Sequence, residues 1–229
     1  NYSRFVTYNG AEYKTDKLKL GFNFYNENDA KNQPFQQDLN NSQKEILSLA
    51  GDEASQMVVP SAFANIFEEN KIFYKKEIQN GEEIFVFSTN PEDDLFTVQF
   101  TYVGENKGDY KIQTTVASGR IYEYTMPVNG ISQGAYNPIL QLVAPNKLQI
   151  AVLNAEYTPR PETTINTELA YSVNDVNLFS SLDDADNQGF AGKINWKQLL
   201  VNKKWKLTSD LNYEHISENF KTIERFRNV

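Results

Sequence analysis

At 229 residues the chain can hold one large β domain or two small ones, and its Lys+Arg 22 against Asp+Glu 30 give a net charge of -8 with no basic, aromatic-laced stretch. Nucleic acid is set aside as a partner on that ground, and nucleotide because no nucleotide-binding signature appears. It has no cysteine, which excludes disulfide frameworks, thiolate metal sites and cysteine nucleophiles.

Its apolar runs fall far short of the ~20 residues of a spanning helix, so any membrane contact would be made by strands. A content of Tyr 13 and Phe 15 favours strands as well. No leader is visible, Asn1 is not an initiator Met, and Tyr2 to Thr7 already reads as strand, which predicts a mature piece of a longer chain.

In chain order, residues 2–14 and 17–25 read as a hairpin about Thr15-Asp16, with Leu18, Leu20, Phe22 and Phe24 alternating with Lys19, Gly21, Asn23 and Tyr25. Residues 26–41 turn to Asn, Gln, Asp and Glu around Pro34, a loop too polar to bury. Ser42-Gln43-Lys44-Glu45 has capping-box spacing, so a short helix should follow, with Ile46, Leu49 and Ala50 on one face and Gly51-Asp52 at its end. Pro60 is expected to open a second, carrying Phe63, Ile66 and Phe67 at i, i+3 and i+4.

Asn80-Gly81 predicts a hairpin between strands at 71–78 and 82–89. Residues 95–103 read as one strand with Phe96, Val98, Phe100 and Tyr102 on a face, followed by strands at 110–116 and 120–126. A Gly- and Pro-rich loop at 127–138 leads to strands at 139–143 and 148–157 about Pro145-Asn146. The last third alternates most cleanly: Ile165, Thr167, Leu169 and Tyr171; Phe190, Ile194 and Trp196; Trp205, Leu207, Leu211 and Tyr213, each opposite a polar row.

These elements predict a mainly β fold, an antiparallel up-and-down meander with a short inserted helical excursion. Its parts are 1–28 as an N-terminal hairpin, 29–80 as a polar loop and short-helix excursion, 81–143 as antiparallel strands, and 144–229 as the closing meander. Two architectures fit strands with one oily face: a soluble sandwich or barrel with that face inward, and a membrane barrel with it outward. Links after residue 148 run short, long, short, and Tyr157, Tyr171, Trp196, Trp205 and Tyr213 lie near strand ends, as in an outer-membrane barrel with its aromatic girdles.

Within residues 96–226, Thr101-Tyr102-Val103-Gly104-Glu105-Asn106-Lys107-Gly108-Asp109-Tyr110, Gly119-Arg120-Ile121-Tyr122-Glu123-Tyr124, Asn174-Asp175-Val176-Asn177-Leu178-Phe179-Ser180 and Thr222-Ile223-Glu224-Arg225 carry a resemblance. The chain resembles a family of large, mostly uncharacterised outer-membrane-associated β proteins from the Gram-negative lineage that uses type IX secretion. The resemblance implies a sector of an outer-membrane-type β-barrel, a location in the bacterial outer membrane or at the cell surface, and as partners the membrane lipid and other outer-membrane or secretion-associated proteins. It supplies no active-site residues, and the helical excursion at 42–70 departs from a plain porin.

The expected function is therefore a non-enzymatic structural, transport or assembly segment of a large outer-membrane β protein. The alternative is a soluble extracytoplasmic β-sandwich or barrel that binds glycans or a protein. Among candidate sites, Asp184, Asp186 and Gln188 stand at positions one, three and five of a half calcium loop, whose twelfth position is Asn195 instead of a bidentate Glu. Ca²⁺ is the single cofactor this pattern admits, against an acidic surface loop. Trp196 and Trp205 flank a short link and could stack a glycan, against girdle or core aromatics. His215 is the only histidine and no Gly-x-Ser-x-Gly elbow accompanies it. The pairs Asp93-Asp94 and Glu82-Glu83 read as solvated charge, not as a glycosidase dyad, because adjacent strand residues point to opposite faces.

Overall fold

The structure, a computed structural model, describes residues 3–31 and 37–223. In chain order these form β1 (Arg4–Lys14), β2 (Leu18–Asp29), α1 (Asn41–Ala50), β3 (Val58–Pro60), β4 (Ala62–Ala64), β5 (Phe73–Gln79) and β6 (Glu82–Ser88). They continue as β7 (Phe96–Val98), β8 (Thr101–Tyr102), β9 (Tyr110–Val116), β10 (Gly119–Tyr124), β11 (Tyr136–Asn137) and β12 (Ile139–Gln141). Four long strands end the series: β13 (Lys147–Arg160), β14 (Thr163–Asp175), β15 (Gln188–Asn202) and β16 (Lys206–Ile216). The fold is mainly β, and every strand pair is antiparallel. Two compact units divide the chain, 1–56 with 143–229, and 57–142.

The first unit is one six-stranded sheet in the order β1-β2-β13-β14-β15-β16. The N-terminal hairpin is thus no separate part: β2 pairs along its length with β13, Leu18 opposite Tyr157 and Asn28 opposite Lys147, although residues 30–146 intervene. Short turns at 15–17, 161–162 and 203–205 lie at one end of the strands. At the other end run the long connections, 30–146 and 176–187. β1 and β16 are the edges and do not pair with each other, so the sheet formed by this chain is open. The loop expected at 26–41 begins later, because β2 runs on to Asp29; its Pro34 lies outside the described residues.

Helix α1 starts two residues earlier than the Ser42 box predicts. Asn40 is the N-cap, accepting from the Gln43 N–H at 2.9 Å while Gln43 Oε1 accepts the Asn40 N–H at 3.0 Å, so an Asn and a Gln make the box in place of Ser42 and Glu45. The inward residues are accordingly Leu47 and Ala50, and Leu49 faces solvent. Gly51 ends the helix at φ 60, where a side chain would be strained.

The second unit packs around an aromatic cluster of Tyr74, Phe85 and Tyr110, flanked by Phe96, Phe100, Tyr122, Tyr124 and Tyr136. Its buried phenols are used: Phe85 N–H donates to Tyr110 Oη at 2.8 Å and Tyr122 N–H to Tyr74 Oη at 2.9 Å. Burial pushes the Tyr74 phenol up to about 12. The Asn80-Gly81 turn joins β5 to β6 with φ 53 and 89, as its sequence requires. Gly108 and Gly134 bridge each other so closely that a Cβ at Gly134 would overlap the Tyr110 carbonyl.

Three expectations fail here. Pro60 opens no helix: it ends β3 opposite Ile139, residues 62–64 form β4 against β7, and Phe63 and Ile66 face solvent, leaving no apolar helical face to bury. The single strand expected at 95–103 is broken into β7 and β8, which belong to different sheets. The excursion drawn at 29–80 splits, since 37–56 belong to the first unit and 57–80 to the second.

Candidate functional site

Because side chains alternate across a strand, the register of the six-stranded sheet sorts its residues into two faces. One face collects Leu18, Leu20, Phe22 and Phe24 of β2, then Ala151, Leu153, Ala155 and Tyr157 of β13. It continues through Ile165, Leu169 and Tyr171 of β14, Phe190, Ile194 and Trp196 of β15, and Leu207, Leu211 and Tyr213 of β16. Some cross-strand rows are wholly apolar, as in Leu18–Tyr157–Ile165–Trp196–Leu211, while Thr167 interrupts the row Ala155–Thr167–Ile194–Tyr213 and the row Leu153–Leu169–Gly192 ends at His215. Among the described residues no second layer covers them: Leu169 is 39% exposed, Ile194 37%, Trp196 47% and Leu211 56%.

The opposite face is polar toward the short-turn end, whereas Leu148, Ile150 and Val152 of β13 and Ala170 of β14 lie on it toward the long-connection end, Ile150 and Ala170 buried. Glu12, Lys19, Asn23, Asn154, Glu156, Asn166, Glu168, Lys193 and Asn195, drawn from five adjacent strands, share one hollow of about 440 Å³. Asn195 Nδ2 donates to Asp210 Oδ1 at 2.6 Å and to Asn212 Oδ1 at 2.7 Å, extending the polar row to the edge strand. Toward the long-connection end the same face carries an ion cluster: Arg4 Nε donates to the buried Asp29 at 2.7 Å and also contacts Glu27. Burial, then the hydrogen bond to Glu27, pushes the Tyr25 phenol up to about 12.

The connection at 176–187 is tied to α1. Asn177, almost wholly buried, donates to the Leu47 and Gly51 carbonyls, the former at 2.8 Å, so one amide satisfies helix-end acceptors. Asp183 Oδ2 accepts the Asp52 N–H at 2.6 Å. Burial first, then the charges of Asp183, Asp175, Asp186 and Asp184, push the Asp52 carboxyl up to about 6.

The residues singled out in the sequence are not brought together. Asp184 accepts from Asn187 at 3.1 Å, Asp186 donates its N–H back to Asp183 O at 3.4 Å, and Gln188 accepts from the Tyr171 hydroxyl at 2.8 Å on the apolar face. Among the described residues no group of three or more acidic or histidine side chains is placed to hold a metal ion. Trp196 lies within an apolar row and Trp205 in the turn before β16. His215 is exposed on β16 opposite Gly192, with Glu214 and Ile216 beside it. The Ser88 hydroxyl, 2.6 Å away, leads the groups that hold Asp93 below the usual carboxylate range, and Lys75 adds to it. Glu83 pairs with Lys76 at 2.8 Å.

The polar hollow was missed as a unit because its members lie on strands far apart in sequence. Comparison with family models, curated proteins and solved structures found no match. Among the described residues no helix is long and apolar enough to cross a membrane, which leaves strands unaddressed.

Proposed function

We propose that the six-stranded sheet is a sector of an outer-membrane-type β-barrel, with its apolar face toward lipid and the face that holds the polar hollow toward water. The chain then serves a structural, transport or assembly role in a bacterial outer membrane, with no reaction of its own. The observation that carries this reading is the largely apolar face, covered by no second layer among the described residues, on the side away from the polar hollow. A soluble sandwich or barrel turns that face inward and covers it.

Magnitudes support the same choice. Five strands ~4.8 Å apart carrying apolar side chains over seven to nine residues make a patch of roughly 550–700 Å² in projection, at ~3.3 Å per residue. A soluble monomer seldom leaves more than a few hundred Å² of contiguous apolar surface exposed. With strands tilted ~40° the band would stand about 18–23 Å tall, near the ~25 Å of outer-membrane barrels. Short turns at one end and long connections at the other also fit that architecture. On this reading the second unit, built around its own aromatic core, is a water-facing module inserted in the connection between β2 and β13.

The test is extraction and electrophoresis of the chain expressed with a signal for export. A barrel sector partitions with outer membranes, needs detergent and migrates differently before and after boiling. Monodisperse behaviour in plain buffer, with no heat-dependent shift, would return the assignment to a soluble sandwich or barrel that binds glycans or protein.

A further inference from the structure

On the polar face of β14 and β15, charged and amide residues give way at one place to four small ones. Ala170 stands opposite Ala191, and Ser172 opposite Gly189. Across them lies the chain that leaves β16. Ser217 N–H donates to the Phe190 carbonyl at 2.8 Å, and Phe190 N–H donates to Ser217 Oγ at 2.8 Å, so the segment is fastened to β15 as soon as β16 ends. Phe220 then passes over Gly189 so closely that a Cβ there would overlap the Phe220 backbone. Lys221 N–H donates to Ser172 Oγ at 3.0 Å, and Ser172 is 0% exposed. Farther on, residues 221–223 line one hollow with Arg4, Glu27 and Leu148, on β1, β2 and β13.

We propose that residues 217–223 form a strap across the long-connection end of the polar face, seated on the small residues and able to lift from them. The small side chains are what let backbone approach backbone at this spot. Among the described residues the hold is light: three hydrogen bonds and a half-buried Phe220, while Lys221, Thr222 and Ile223 stay exposed. Segments held by so few contacts open locally while the rest of the fold stays intact. Lifting uncovers Ser172 and Gly189 and opens that end of the polar face to water-soluble solutes. The inference needs only the polar face and stands whether or not the other face meets lipid.

The chain has no native cysteine, so Ser172→Cys places a single thiol under the strap. Its rate of modification by a water-soluble maleimide is measured in the otherwise intact chain, in Gly189→Val, and in a chain ending at residue 216. Glu168→Cys, on the open part of the same face, serves as the reference. The expected result is slow modification of the thiol at position 172 in the intact chain and a rise of about tenfold or more in both strap-releasing forms, with the reference rate unchanged. Fast modification in the intact chain, or no rise on release, would overturn the strap. Loss of the β-sheet circular dichroism on removing 217–229 would also overturn it, by making the segment an integral part of the sheet.

Discussion

Replacing Leu169 with Arg distinguishes the two environments the apolar face could meet. Leu169 lies in mid-row between Leu153 and Gly192 and is 39% exposed, so its strand neighbours cover roughly three-fifths of it. Full burial of a leucine is worth ~1.5–3 kcal/mol, so about 1–2 kcal/mol of cross-strand contact is at stake, and an arginine stem retains much of it. In water the substitution should therefore cost less than about 1 kcal/mol. In lipid the charged head adds ~2–4 kcal/mol near the bilayer midplane. Urea titrations of the chain folded in phospholipid vesicles, read by tryptophan fluorescence, should show Leu169→Arg destabilised by about 2–4 kcal/mol. Glu168→Gln, one residue away on the polar face, should lie within ~0.5 kcal/mol of the parent. Equal, small costs at both positions in vesicles would refute the reasoning.

The docking of α1 is expected to weaken as pH rises. Asp52 keeps its proton more tightly in the folded chain, up to about 6 against the ordinary 3.8, so stability falls between these values and stays lower above them. A rise of that size corresponds to ~3 kcal/mol unscreened, which solvent reduces to about 1–2 kcal/mol. Urea melts at pH 4.5 and 7 should show this slope in the parent and not in Asp52→Asn; an identical slope in both would contradict it. Asn177→Ala strands the Leu47 and Gly51 carbonyls and should cost about 2–3 kcal/mol, read as faster amide exchange at the end of α1. Unchanged exchange there would rule out the capping role. Tyr110→Phe leaves the buried Phe85 N–H without its acceptor and should destabilise the second unit by about 1–3 kcal/mol in thermal melts, whereas no change in melting would show that bond to be dispensable.

Much of the sheet was legible because period-two alternation is a strictly local signal. The rows beginning at Leu18, Ile165, Phe190 and Trp205 name their own faces, although Trp205 itself falls in the turn before β16, and Asn80-Gly81 names its turn. Helix boundaries were less legible, since Asn40 and Ser42 both offer an acceptor to a following amide, and the Asn177 amide that caps the Leu47 carbonyl is remote in sequence. Pro60 misled because proline suits a first helical turn and a strand end equally well, and the pairing with Ile139 that decides between them is remote in sequence. The adjacency of β2 and β13 could not be read locally either, because 30–146 interrupts what is otherwise a hairpin-linked meander. For the same reason the polar hollow, which gathers Glu12 with Lys193, had no sequence signature, though the run of Ala170, Ser172, Gly189 and Ala191 on a charged face was there to be seen.

The environment that touches the apolar face decides between membrane and water, and the chain carries its own probe. It has Trp 2, Trp196 within an apolar row and Trp205 in a turn, so Trp205→Phe leaves a single reporter on that face. In vesicles of acyl-brominated phosphatidylcholine, the Trp196 fluorescence should be strongly quenched and insensitive to aqueous iodide. Free quenching by iodide, with none by the brominated chains, would place that face in water or against protein and contradict the assignment.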